Sequence, residues 1–189
     1  MSTQEGALIT YSSLLNRQVT NEAASERLGR VTQVWLNYQD HQVIGFTCRL
    51  GVLDNDPCTF PWDQIATLEA QRILVKTIPT PYQNVTTNLE LERQIVVDTH
   101  ITHEVWTSTG NFVGKISDCR IYPYSGMVMD YILTVRSLRR LTAQRFYLPP
   151  TSILSVGRGW MTVIDDFMQE IEPVSSELTL ANFPTAELA

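Results

Sequence analysis

The chain writes one pattern twice. Setting Gly29 against Gly114, an offset of 85 residues, lays Val31 on Ile116, Val34 on Cys119, Leu36 on Ile121, Val43 on Val128 and Phe46 on Tyr131. Further on the offset becomes 88, and "FPWDQIATLEAQRILV" (60–75) lies over "LPPTSILSVGRGWMTV" (148–163), with Pro61 on Pro149, Ile65 on Ile153, Leu68 on Val156 and Val75 on Val163. The register changes between 50 and 58 in one copy and between 136 and 146 in the other, as a loop of different length requires. An internal repeat constrains everything else, because both halves must adopt one fold.

Each copy reads as five or six short strands. β-Branched and aromatic runs alternate with polar residues and are cut by turn formers in "NYQDHQ" and "YPYSGM". Helical periodicity is scarce, with one helical turn expected at "SELTLANF" (176–183). Short, evenly spaced strands predict an all-β chain of two tandem small antiparallel β-barrels, closed so that strand edges are not exposed. The expected division is a first barrel at 8–77, a linker at 78–91, a second barrel at 92–165 and an acidic tail at 166–189. The linker follows from the prolines, threonines and asparagines of "TIPTPYQNVTTN" (77–88), and the tail from its acidic residues with Pro173 and Pro184.

Composition narrows the function classes. Hydrophobic residues make up 43% of the 189, enough for a packed core. Fourteen basic against twenty acidic side chains leave a net charge of −6, which argues against broad attraction to nucleic acid or an anionic membrane. Cys48, Cys58 and Cys119 are odd in number and without CxxC spacing, so neither a disulfide framework nor a zinc site is indicated. The opening "MSTQEGALIT" lacks a signal-peptide layout, and no apolar run approaches the roughly 20 residues of a membrane span. The expectation is a cytoplasmic protein, peripheral at most to a membrane complex.

Several segments in order carry a family resemblance. "SLLNRQV" (13–19) is an apolar pair leading into a turn and a strand, "LGRVTQVWL" (28–36) a glycine-basic-valine strand, "HQVIGFTCR" (41–49) its return, and "TFPWDQI" (59–65) a proline-containing strand exit. This first copy resembles the PRC-barrel family. In the second copy "FVGKISDCRI" and "FYLPPTSI" fit the same pattern, whereas "DTHITHEVWTSTGN" departs from the usual opening. The resemblance implies PRC-like barrels used for protein docking and assembly, as in the cytoplasmic domain of the photosynthetic reaction-centre H subunit, or for ribosome maturation. It implies no shared catalytic constellation.

His100, His103 and Glu104 offer metal-ligand types, but residues three apart on a β-branched segment point to opposite faces, and HExxH order is missing. There is no G-x-S-x-G elbow and no phosphate-binding glycine loop, and "GRGW" (157–160) reads as a tight hairpin turn. Asp165 and Asp166 read as a solvated strand end. Arg136, Arg139, Arg140 and Arg145 crowd one predicted loop of an acidic protein, a docking patch for an acidic surface, a phosphate or RNA; the simpler reading is a solvated loop. Trp35 aligns with Arg120 and Trp62 with Pro150, so neither position demands an apolar core residue; Trp35 is expected to fill the contact between the barrels or to anchor a partner. The sequence reading is a non-enzymatic, protein-binding adaptor or assembly factor with no cofactor and no metal, its partner a photosynthetic or other membrane complex; the alternative is an RNA- or ribosome-associated factor.

Overall fold

The computed structural model describes residues 7–51, 57–76, 101–136, 143–167 and 171–174, and the backbone of 186–187. The expected linker, Arg139, Arg140, His100 and the helical turn at 176–183 lie outside the described residues.

The chain is all-β, built as two curled sheets. The first takes β2 (Gln18–Asn21), β3 (Arg27–Asn37), β4 (Gln42–Arg49), β5 (Cys58–Pro61), β6 (Ile65–Leu68) and β7 (Arg72–Val75), in the spatial order β6-β7-β2-β3-β4-β5. The second takes β8 (Glu104–Thr107), β9 (Phe112–Ile121), β10 (Val128–Val135), β11 (Gln144–Leu148), β12 (Ile153–Gly157) and β13 (Trp160–Val163), in the order β12-β13-β8-β9-β10-β11. Both are antiparallel except at one seam each, where β2 runs parallel to β7 and β8 to β13. The sequence reading expected antiparallel pairing throughout. The parallel seam arises because the last hairpin of each unit returns beside the unit's first strand.

Curling is forced by chain length. β5 and β6 sit on opposite edges of a six-strand array, which if flat would separate them by about 24 Å at about 4.8 Å per strand. Only a single 3-10 turn, Trp62–Gln64, joins them, and the four steps from Pro61 to Ile65 reach about 14 Å at most. The sheet has to bend its edges toward each other. In the second unit Pro150–Ser152 makes the corresponding turn.

Inside both units lies one continuous core. Val31, Val34, Leu36, Phe46, Phe60 and Ile73 of the first sheet and Ile116, Cys119, Tyr131, Leu133, Leu148 and Met161 of the second belong to a single cluster. Gly29 and Gly114 face the main chain of the neighbouring strand, at Arg49 and Thr134, where an added Cβ would collide with a carbonyl oxygen.

The two ends of the chain cross between units. β1 (Ile9–Thr10) pairs with β9, setting Ile9 opposite Ile121 and Thr10 opposite Arg120. Helix α1 (Tyr11–Leu14) follows, closed by a capping box in which Thr10 and Ser13 exchange backbone and side-chain hydrogen bonds. Ser12 donates from its backbone at 3.1 Å, and from its hydroxyl, to the buried Asp118 carboxylate of β9. Arg17, itself buried, leads back to the first sheet by donating to the Ser13 and Glu69 carbonyls, each at 2.6 Å. At the other end, β14 (Glu172–Pro173) extends the second sheet beside β11 and β15 (Ala186–Glu187) extends the first beside β6.

Gly126 is the tightest joint between the units. Its φ of +72° suits glycine, and a Cβ there would lie 2.5 Å from the Val43 carbonyl oxygen and 3.2 Å from the Trp62 ring. Gly110 has a φ of +85° with open space around it. Gly110→Ala is therefore expected to cost about 1 kcal/mol, and Gly126→Ala clearly more, about 2–4 kcal/mol. Urea unfolding of the two variants checks the order.

Candidate partner-binding surface

The two turns that the repeat places in register meet each other. Val43 donates to the Gly126 carbonyl at 2.8 Å and Val128 to the His41 carbonyl at 2.7 Å, so the tips of the β3–β4 and β9–β10 hairpins are stitched main chain to main chain. Gln42 adds a side-chain bond to the Ser125 carbonyl at 2.8 Å. Around this stitch the side chains interlock. Tyr38 is fully buried, stacked 6.3 Å from Tyr131 with its ring 4.1 Å from that of His103. His41 Nδ1 is 2.8 Å from the Tyr131 hydroxyl, and the Trp62 indole donates to the Pro123 carbonyl at 3.1 Å.

Beyond the stitch the second hairpin is bare. Tyr122, Tyr124, Met127 and Met129 all present exposed side chains, Tyr124 at 45%. Among the described residues the other large apolar side chains left exposed are Leu50, Phe112, Leu154 and Trp160, so all but Leu50 belong to the second unit. Four within eight residues of one hairpin form a patch rather than scattered exceptions.

A second surface lies at the far end of the same strands. Thr134 of β10 faces Lys115 on one side and Arg145 on the other, and Lys115 in turn faces Glu104, with which it makes a 3.0 Å ion pair. Trp160 continues this row opposite Glu104, while Trp106 and Phe112 meet edge to face at 5.1 Å one row away. Arg136 and Arg145 are exposed here. Arg145 sits on β11, so the expected loop of four arginines is in part a strand end; Arg139 and Arg140 are outside the described residues. The seven steps of β10 separate this end from the tyrosine-methionine tip by about 24 Å.

Comparison with known families now bears on the first unit. Residues 7–80 match the family model described as the PRC-barrel domain. The chain carries a PRC-barrel domain at residues 7–80. A comparison with curated proteins gives no match. The matched range holds β1, α1 and all six strands of the first sheet, so the PRC barrel includes the segment that crosses to β9.

Within the PRC barrel, Trp35 is not where an anchor would be. It lies on the face of β3 opposite to Val34 and Leu36, outside the continuous core, yet is only 8% exposed. Its cross-strand partner is Gly45, and its indole donates to Thr47 Oγ1 at 2.8 Å. Trp62 reaches across the contact between the units to the Pro123 carbonyl. The repeat comparison missed this because Trp62 was read as the twin of Pro150, and an indole reaching across to Pro123 leaves no trace in sequence spacing.

At the twin of Trp35, Arg120 covers the outer face of β9 with charge. It forks onto Asp130, Nε to Oδ1 at 2.8 Å and Nη2 to the other oxygen, with its guanidinium 3.6 Å from the centre of the Tyr147 ring. The bond from Asp130 raises the arginine's pKa further. His103 is buried and Glu104 is committed to Lys115; no group of three metal-ligating side chains occurs among the described residues. Asp165 accepts from the Ser108 and Thr109 hydroxyls, both at 2.9 Å, and these bonds lower its pKa: it holds a turn. No helix among the described residues is long and apolar enough to cross a membrane.

Two outcomes follow from these contacts. Asp130→Ala strands a half-buried guanidinium and is expected to lower stability by about 2–3 kcal/mol, whereas Glu104→Ala breaks an exposed pair and should cost under about 1 kcal/mol; urea midpoints compare them. His41 is held below its ordinary pKa, chiefly by burial, with Asp40 opposing. The unfolded chain therefore binds the imidazole proton more tightly, so the folded state loses stability as pH falls from about 6.5 through the lower folded value. His41→Asn keeps a side chain that tolerates the φ of +50° and does not titrate there. The stability difference between pH 7.5 and 5.5 is expected to shrink in that variant.

Proposed function

We propose that this chain is a non-catalytic adaptor that docks on a protein partner through the exposed tip of the β9–β10 hairpin. The observation that carries the reading is the clustering of Tyr122, Tyr124, Met127 and Met129 on one rigidly held turn. Tyrosine and methionine are enriched at protein interfaces, and a tip stitched to a neighbouring hairpin loses little further freedom on binding. We take the second sheet as a second copy of the PRC barrel. Its strand order and its parallel seam repeat those of the first, and the sequence offsets of 85 and 88 support the same reading. The family's association with assembly makes a membrane-associated complex, such as a photosynthetic one, the proposed setting, with the chain on its cytoplasmic side.

One observation favours a second reading, RNA association. Trp106, Phe112 and Trp160 share an outer sheet face with Lys115 and Arg145, and stacking rings beside basic groups suit a single strand. Net acidity and the Lys115–Glu104 pair weigh against it.

A crosslinking pull-down from the native source separates the readings. The unaltered chain should recover a stable protein partner, and Tyr124→Ser with Met129→Ser should lose it while stability stays within about 0.5 kcal/mol. An unchanged partner list, or no partner, sinks the adaptor reading. Recovery of RNA that weakens steeply with salt and depends on Arg136 and Arg145 would favour the second.

A further inference from the structure

Two of the three cysteines face each other across a ladder. Cys48 of β4 is the direct partner of Cys58 of β5. Opposed residues of an antiparallel pair hold their Cα atoms about 4.5 or 5.5 Å apart, and both values fall within the roughly 4.4–6.8 Å that a disulfide spans. Neither sulfur is in a disulfide. Cys48 is fully covered on the core side, its Sγ 3.7 Å from the Leu28 carbonyl oxygen. Cys58 is only partly covered and lies on the outermost strand at its edge of the sheet. One sulfur is thus reachable from solvent and the other from its partner, the layout of an attacking and a resolving thiol.

We propose that Cys48 and Cys58 form a reversible dithiol–disulfide site, oxidised by a low-molecular-weight disulfide such as oxidised glutathione. The Cys58 thiolate attacks one sulfur of the oxidant and expels a thiolate, leaving a mixed disulfide. The Cys48 thiol gives its proton to solvent, attacks the Cys58 sulfur and expels the second thiolate. The protein loses two electrons and two protons, and the oxidant gains them as two thiols. Burial first, and the nearby Cys58 second, push the Cys48 thiol up to about 12. The mixed disulfide removes the ionisable Cys58 and with it the second of those causes. Closing the bond ties β5 to β4 just ahead of Pro61 and Trp62, the turn that reaches the second unit.

The test uses the full chain, equilibrated with graded ratios of reduced to oxidised glutathione, acid-quenched, unfolded, labelled with a maleimide and weighed intact. Three labels are expected at the reduced end, one for each cysteine, and one at the oxidised end, with peptide mapping giving a Cys48–Cys58 link. Cys119→Ser should keep that link. Cys58→Ser, a near-isosteric change at a partly covered position of the edge strand, should retain two labels at every ratio. Three labels throughout, a link that uses Cys119, or glutathione lodged on Cys58 while Cys48 still takes label would each overturn the proposal.

Discussion

A single short turn bends the edges of each unit's sheet toward each other, and much of the architecture depends on it. Trp62–Gln64 must carry the chain from one edge of a six-strand array to the other within a few residues, so the first sheet cannot stay flat. Closing the sheet this way encloses a face of Val, Leu, Ile and Phe side chains that a flat sheet would leave half wet. It also fixes where Trp62 points. The same turn that curls the PRC-barrel sheet carries an indole to Pro123 of the neighbouring hairpin, so the curl and the joint between units are one geometric decision.

The joint explains why the two units share one core instead of behaving as separate beads. Tyr38 comes from a hairpin tip, ordinarily the wettest part of a barrel, yet is buried against Tyr131 and His103 of the other unit. Main-chain bonds on both sides of Gly126 satisfy the polar groups that such a contact would otherwise strand. From the other end, β1 and Ser12 reach over to β9 and Asp118, so the units are held at the hairpin tips and by strand pairing along β9 as well. Ends that cross in this way make independent unfolding of either unit costly.

Much of this was legible in residues, and the reason is periodicity. Val31, Val34 and Leu36 recur at their twins because each fills the same inward position, so the repeat and the all-β class could be read directly. What could not be read was everything that passes between elements distant in sequence. The parallel seams leave no local mark, because side chains alternate in the same way whichever direction the neighbour runs. Trp35 and Trp62 look alike in sequence, and only the fold shows that one bonds to Thr47 within its own sheet while the other spans the joint. Cys48 and Cys58 escaped notice for the same reason: a search for CxxC spacing asks about neighbours along the chain, whereas a ladder brings together residues ten positions apart.

The two units put the same outer position to different uses, and that difference points to a division of labour. At Trp35 the PRC barrel covers its outer face with an indole; at Arg120 the second unit uses an ion pair with Asp130 over the Tyr147 ring. That indole is 8% exposed and its N–H is already bonded to Thr47, so it offers little to solvent. The second unit, by contrast, leaves Tyr122, Tyr124, Met127 and Met129 in water at the hairpin tip and Phe112 and Trp160 at the other end, and all six carry a hydration cost that packing within the chain does not relieve. Exposed apolar surface concentrated on one unit is retained where something else covers it part of the time. Under the docking proposal the PRC barrel is the base, and the hairpin it grips through Trp62 and Tyr38 is the part offered to a partner.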